Sequence, residues 1–308
     1  MNKKIAVIGA GNVGASCAMY LAEANIADVI MVDIVEGVPQ GKALDLTQAG
    51  PVRGYNCTVK GSNKMSDIKG ADIVIMTAGL PRKPGMSRED LLNMNADIVG
   101  QVGRDIKKYA PKSYIIMVSN PLDLMTFHMQ NVTKFPKNRV FGQAGVLDST
   151  RFRTFVAMEL GVAPTDVQAM VLGGHGDTMV PLPRYTTVNG IPIKELIPND
   201  RIKAISQRTA GGGGEIVKLL KSGSAFYAPA AASVEMCRSV FSDEKKVMPC
   251  SAFLTGQYGI KDIYIGVPVV LGAKGVEKIV ELKLNKSEKS ALQKSAKTYK
   301  SHLKILGY

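Results

Sequence analysis

The 308 residues are 45% hydrophobic and 21% charged, an ordinary globular composition with ample core and enough length for two lobes. No run of about 18 apolar residues is available to span a bilayer, so no membrane association is expected. The formal charge of +13 raises the question of a nucleic-acid partner, but part of it has a local origin. Residues 286–308 carry six lysines and one acid beside an apolar stripe (Leu292, Ala296, Tyr299, Leu303, Leu306), the pattern of a helix with a solvated basic face. No nucleic acid is expected; a basic field that draws in anionic metabolites is the consequence read from the charge.

The chain opens on "MNKKIAVIGAGNVG", where glycines and Asn12 interrupt the apolar region, so it reads as mature protein and not as a signal peptide. "KIAVIGA" (4–10), "VIMVDI" (29–34), "ADIVIMTAG" (71–79) and "SYIIMVSNP" (113–121) predict strands buried on both faces. Between the first two, Val13, Cys17, Tyr20, Leu21 and Ala24 mark a helix face. Repeated strand–helix–strand units predict an α/β fold with a doubly wound parallel sheet. From about Asp148 the rhythm changes: a helix, extended segments at 167–172 and 179–188, helices near 201–220 and 225–240, then strands near 248–258 and 263–271. Asn285 with Glu288 predicts a capping box at the start of the last helix. The glycine run at 211–214 reads as a flexible helix start. Cys17, Cys57, Cys237 and Cys250 form no C-x-x-C pair, which argues against a zinc site and a disulfide scaffold and for a reducing, cytoplasmic compartment; no metal is expected.

"GAGNVG" puts glycines at 9, 11 and 14, a spacing that is weak alone and strong here. It ends the first strand, opens the first helix, and Asp33 ends the second strand nineteen residues after Gly14. Gly9 allows the tight turn, Gly11 lets a pyrophosphate approach the backbone, and Gly14 lets helix and sheet pack closely. Ala10, Asn12 and Val13 complete the turn, and the phosphates would sit on the helix N-terminus. Asp33 would hold a ribose hydroxyl and repel a 2′-phosphate, which points to NAD over NADP.

Hydride chemistry needs a proton acceptor and an anion grip. Only three histidines are present, and His175 stands in "GGHGD". Arg82 and Arg88 lie in the proline-bounded loop "AGLPRKPGMSRED" (78–90), Asn120 in "VSNPLD" (118–123), and Asp148 and Arg151 one helical turn apart in "GVLDSTRFR" (145–153). Each taken singly also fits a solvated arginine, a turn asparagine or a surface ion pair. Asp177 is the acid nearest His175 in sequence and competes with Asp148 as its partner.

Together and in this order, these motifs resemble the lactate/malate dehydrogenase superfamily nearly end to end; Arg82 and its short loop are similar to the lactate-dehydrogenase-like malate dehydrogenases of bacteria. The resemblance implies a Rossmann NAD-binding domain at 1–147 and an α+β substrate domain at 148–308. It makes His175 the proton donor and acceptor, Asp148 its orienting acid, Arg151 the grip on the substrate carboxylate, and Arg88 the group that polarises the carbonyl. It makes Arg82 the selector of a second carboxylate and Asn120 a contact to substrate and cofactor, with Asn95, Val118 and Ser119 as further cofactor contacts. Residues 79–90 are expected to close over the substrate. The implied substrate is malate or oxaloacetate, with lactate as the alternative, and the implied assembly is a homo-oligomer, dimer or tetramer.

Overall fold

The structure, a computed structural model, describes residues 3–80 and 87–308, and of Arg88 the backbone only. Its first half alternates strands and helices: β1 (Lys4–Ile8), α1 (Asn12–Ala24), β2 (Asp28–Val32), α2 (Val38–Arg53), β3 (Val59–Ser62), β4 (Ile73–Met76), α3 (Arg88–Tyr109), β5 (Tyr114–Met117), α4 (Leu122–Thr133), β6 (Val140–Gly142) and α5 (Ala144–Leu160). Short strands and helices follow: β7 (Val167–Gln168), β8 (Val171–Leu172), β9 (Val180–Pro181), β10 (Thr187–Val188), β11 (Ile191–Pro192), α6 (Ile193–Leu196), α7 (Asn199–Leu220) and α8 (Tyr227–Phe241). The chain ends with β12 (Lys246–Thr255), β13 (Lys261–Gly272), β14 (Gly275–Ile279) and α9 (Lys286–Leu303).

Among the described residues nine strands make one sheet, in the order β14-β13-β12-β6-β5-β4-β1-β2-β3. Strands β1 to β6 are parallel and lie in the spatial order 3-2-1-4-5-6, the order of the dinucleotide-binding fold. Their Val/Ile runs are buried on both faces: Ile5, Ala6 and Val7 of β1 and Ile73, Val74 and Ile75 of β4 are fully inaccessible. Each such isoleucine or valine side chain contributes about 1.5–3 kcal/mol of transfer free energy. β12 joins β6 antiparallel, Ser251 opposite Gly142, and β13 and β14 extend the sheet antiparallel. The sheet thus runs through both halves of the chain, and the expected division between 147 and 148 falls inside α5.

Two local readings are corrected. Ala24 is exposed, not on the buried face of α1; Gly14, Ser16, Ala18 and Ala22 are buried along with Cys17 and Leu21. The helix is covered on a second side by α8, which its small residues admit. The glycine run 211–214 is the interior of the 22-residue helix α7 and not a helix start. Glycine costs helix stability there, about 1 kcal/mol per residue against alanine, and packing accounts for two of the four, since a Cβ on Gly211 or Gly214 would meet nothing within 4 Å among the described residues. A Cβ on Gly212 would lie 3.2 Å from Arg151 Cδ and one on Gly213 3.4 Å from Arg151 Nη2, so the bare stretch makes room for that side chain. The capping box at Asn285 and Glu288 is present, and the six lysines of the last segment are exposed while Leu292, Ala296, Tyr299 and Leu303 are buried.

Candidate active site

Three loops at the C-terminal ends of β1, β4 and β5 meet, at the edge where ligands bind open parallel sheets. In the first, the three glycines have different reasons. Gly9 has φ +97°, and a Cβ on it would lie 2.7 Å from Thr77 Oγ1. A Cβ on Gly14 would lie 1.8 Å from the Gly9 carbonyl oxygen, so that position closes the turn against the helix. Gly11 meets nothing within 4 Å. A side chain there would stand in open space over the turn, and that space suits a pyrophosphate brought against the backbone. Gly11 is also the N-cap of α1, with no side chain capping it and no acid in the first turn, which leaves the helix N–H groups and dipole to an anion. Asp33 sits beside the turn: its Oδ2 accepts the Ala10 N–H at 2.6 Å and its Oδ1 the Val35 N–H at 2.9 Å. These residues fit a dinucleotide.

The other two loops are tied by Asn95 of α3. This residue is 1% exposed, an asparagine of the interior and not of the solvated helix face. Its Oδ1 accepts the Leu80 N–H at 2.7 Å, and its Nδ2 donates to the Leu80 and Asn120 carbonyls at 3.2 and 2.8 Å. Ser119 donates to the Ala78 carbonyl at 2.6 Å, joining the ends of β4 and β5, and Val118 is buried beside it. Asn120 is exposed at the rim. Arg82 lies outside the described residues. Arg88 begins α3, where a capping box of Ser87 and Asp90 fixes the backbone, and its side chain likewise lies outside the description.

Deeper in, α5 presents Asp148 and Arg151 on one face. Asp148 is 2% exposed; its Oδ2 lies 3.0 Å from His175 Nδ1 and its Oδ1 3.4 Å from Arg151 Nη1. Asp148, remote in sequence, is therefore the hydrogen-bond partner of the ring. A carboxylate only accepts, so the proton of neutral His175 resides on Nδ1 and the lone pair on Nε2. Burial opposes the imidazolium, but the charge and hydrogen bond of Asp148 outweigh it, and His175 stands above the ordinary imidazole value. Burial lowers Arg151 against the counter-charge of Asp148. Among the described residues the Arg151 Nε is buried without a hydrogen-bond partner. A guanidinium only partly satisfied by one acid can still take a bidentate anion.

The loop carrying His175 is fastened group by group. Gly173 exchanges backbone hydrogen bonds with Gly266 of β13 at 2.9 and 3.1 Å. The Gly174 N–H donates to Ser295 Oγ at 2.9 Å, the His175 N–H to Asp123 Oδ2 at 2.8 Å, and Tyr299 OH donates to the His175 carbonyl at 2.9 Å. Gly174 is glycine because a Cβ there would lie 2.0 Å from the Tyr299 ring, and Gly176 takes φ +136°. Sequence reasoning missed Asp123, Ser295 and Tyr299. Asp123 was visible inside "VSNPLD", where an acid in the first turn of a helix reads as a response to the helix dipole; Tyr299 was absorbed into the apolar stripe of α9.

A parallel sheet with a glycine turn that fits a dinucleotide, and a histidine hydrogen-bonded to a buried acid that also meets an arginine, are the features of a dinucleotide-dependent oxidoreductase. Comparisons with known proteins narrow this. Residues 3–142 match the lactate/malate dehydrogenase NAD binding domain and residues 145–306 the alpha/beta C-terminal domain of the same family. The chain is 55% identical over 306 residues to a malate dehydrogenase of Roseiflexus sp. (strain RS-1), covering 99% of each. A crystal structure of Cryptosporidium parvum malate dehydrogenase superposes with a TM-score of 0.97 at 46% identity, over 100% of this chain and 99% of that one. The lactate dehydrogenase of Cryptosporidium parvum, complexed with lactic acid and nicotinamide adenine dinucleotide, superposes with 0.96 at 45%, over 100% and 98%. The chain belongs to the lactate/malate dehydrogenase family.

Proposed function

We propose that the chain is an NAD-dependent malate dehydrogenase that interconverts (S)-malate and oxaloacetate. The observation that carries the reading is the His175–Asp148–Arg151 constellation, in a chain that also carries the glycine turn and whose relatives at 54–58% identity are named malate dehydrogenase. Residues 1–147 would hold the cofactor, through Gly9, Ala10, Gly11, Asn12, Val13, Gly14, Asp33, Asn95, Val118, Ser119 and Asn120, and residues 148–308 supply the proton-transfer site. Bound NAD supplies the acceptor for the C2 hydride. His175 takes the malate hydroxyl proton at Nε2, Asp148 stabilises the resulting imidazolium, and in reduction the same proton returns from Nε2. Arg151 binds the carboxylate next to the reacting carbon, and Arg88 polarises the carbonyl oxygen.

The superposition on a malate and on a lactate dehydrogenase is almost equally close, so the fold leaves the substrate to single residues. Arg82 is the selector: its charge needs the distal carboxylate of oxaloacetate and finds only a methyl group in pyruvate. Leaving one member of a buried ion pair without its partner costs about 3–5 kcal/mol. Discrimination in kcat/KM on the order of 10²–10⁴ is expected at about 1.4 kcal/mol per decade. Steady-state NADH oxidation with oxaloacetate and with pyruvate, in wild type and Arg82→Gln, tests it. An unchanged preference in the variant makes Arg82 a bystander, and a wild type that prefers pyruvate overturns the malate reading. The four cysteines are free, in keeping with a cytoplasmic setting, and family resemblance supports a homo-oligomer.

A further inference from the structure

One of the side chains that hold the His175 peptide is charged. Asp123, in the first turn of α4, is 1% exposed. Its Oδ2 accepts the His175 N–H at 2.8 Å and its Oδ1 the Ser251 hydroxyl of β12 at 2.5 Å. Holding that N–H does not require a carboxylate; an amide of the same shape offers the same acceptor. Burial pushes the Asp123 carboxyl up to about 6, against the Ser251 hydroxyl and the His175 peptide, which favour its charged form. A carboxylate that is costly to bury, kept beside a group that must gain and lose charge, points to an electrostatic duty.

We propose that Asp123 is a positioning residue for proton transfer: braced by Ser251, it fixes the His175 peptide and supplies a second carboxylate, besides Asp148, that favours the imidazolium. This rests on the reading of His175 as the proton-transfer residue. Among the described residues, the charged groups acting most on Asp123 are His175 and Asp148, and those acting most on His175 are Asp148, Arg151 and Asp123. From α9 the neutral Tyr299 faces the same cluster, under the influence of Asp123, Asp148 and Asp177, and from β12 comes the hydroxyl of Ser251. Arg151 disfavours the imidazolium while the two aspartates favour it, so removing one acid must move the balance in a known direction.

The test is the titration of His175 by NMR in the substrate-free protein, whose three histidines are few enough to assign by single substitutions. In Asp123→Asn the pKa of His175 is expected to fall by about one pH unit, the effect of losing one nearby opposite charge. Ser251→Ala, which takes a donor from Asp123 and makes its charge harder to keep, is expected to move it the same way by less. Because oxaloacetate reduction needs the imidazolium, its kcat/KM should decline at correspondingly lower pH in both variants. A His175 titration coincident with wild type in both variants overturns the proposal, whatever happens to their melting temperatures. If Asp123→Asn does not fold, Ser251→Ala decides: a downward shift supports the proposal and coincidence overturns it. Failure of the underlying reading shows separately, as turnover retained when His175 itself is replaced.

Discussion

The glycine turn is assembled within residues 4–33, from one strand, one helix and the end of the next strand, whereas the His175 site draws on α4, α5, the 173–178 loop, β12 and α9. The first is a local device, in which the requirements on the glycines are steric: a turn, an approach and a packing contact. The second is a convergence of side chains whose hydrogen-bonded partners lie up to 128 positions apart, and its requirements are largely electrostatic. The difference teaches where each kind of site is vulnerable. A local turn fails when one atom is added, and a convergent site fails when one charge or one donor is taken away.

The largest effect is expected at the centre of the convergent site. His175→Asn removes the proposed proton acceptor while leaving the turn at 9–14 untouched, so NADH affinity should stay near wild type. Turnover should fall at least 10²–10⁴-fold, the range of general acid–base catalysis. Fluorescence titration with NADH and a stopped-flow turnover measurement check the two halves separately. A variant with half of wild-type kcat would remove His175 from the chemistry; one that loses NADH binding would show that the two regions are not separable.

This separability explains how far the sequence could be read. The α/β fold, the glycine turn with Asp33, the capped last helix and its lysine face follow from periodicity and spacing, because the interactions that set them span few residues. Asp148 as the partner of His175 did not follow from spacing, since Asp177 is nearer in sequence; only the family resemblance pointed to it before geometry placed the carboxylate 3.0 Å from Nδ1. Asp123, Ser251 and Tyr299 were illegible because each also satisfies a local rule: a helix-start acid, a strand serine, an apolar stripe. The glycines of α7 misled for a related reason, since a helix interior made of glycine makes sense only when Arg151 is seen lying against it.

The next effect belongs to the local device and sets two of its glycines against each other. Gly14→Ala places a methyl group 1.8 Å from the Gly9 carbonyl, so backbone must shift. Overpacking of this kind costs about 1–3 kcal/mol and should lower the melting temperature by several degrees. Gly11→Ala adds the same methyl to open space and should leave stability within about 0.5 kcal/mol. Its NADH affinity should nonetheless weaken roughly tenfold, about 1.4 kcal/mol, because the pyrophosphate must back away from the turn. Thermal melts and NADH titrations on both variants check the split; equal melting temperatures or an unaffected Gly11→Ala would erase the distinction between packing glycine and binding glycine.

The smallest effect probes the convergent site at its edge. Tyr299 does two things for the loop: its ring fills the space that Gly174 leaves, and its hydroxyl donates to the His175 carbonyl at 2.9 Å. Tyr299→Phe keeps the ring and removes only the donor, so the loop should retain its shape while the His175 carbonyl loses one partner. Burial holds the Tyr299 phenol well above its ordinary range, so the hydroxyl is neutral and donates throughout the working pH range. The net worth of a neutral hydrogen bond is about 0.5–1.5 kcal/mol. A loss of about 1 kcal/mol in stability and a two- to tenfold fall in kcat/KM are therefore expected. Since no charge is removed, the pH profile should keep its wild-type midpoint, in contrast to Asp123→Asn. If Tyr299→Phe instead shifts the midpoint as far as Asp123→Asn does, loop geometry and not the second carboxylate governs the proton affinity of His175.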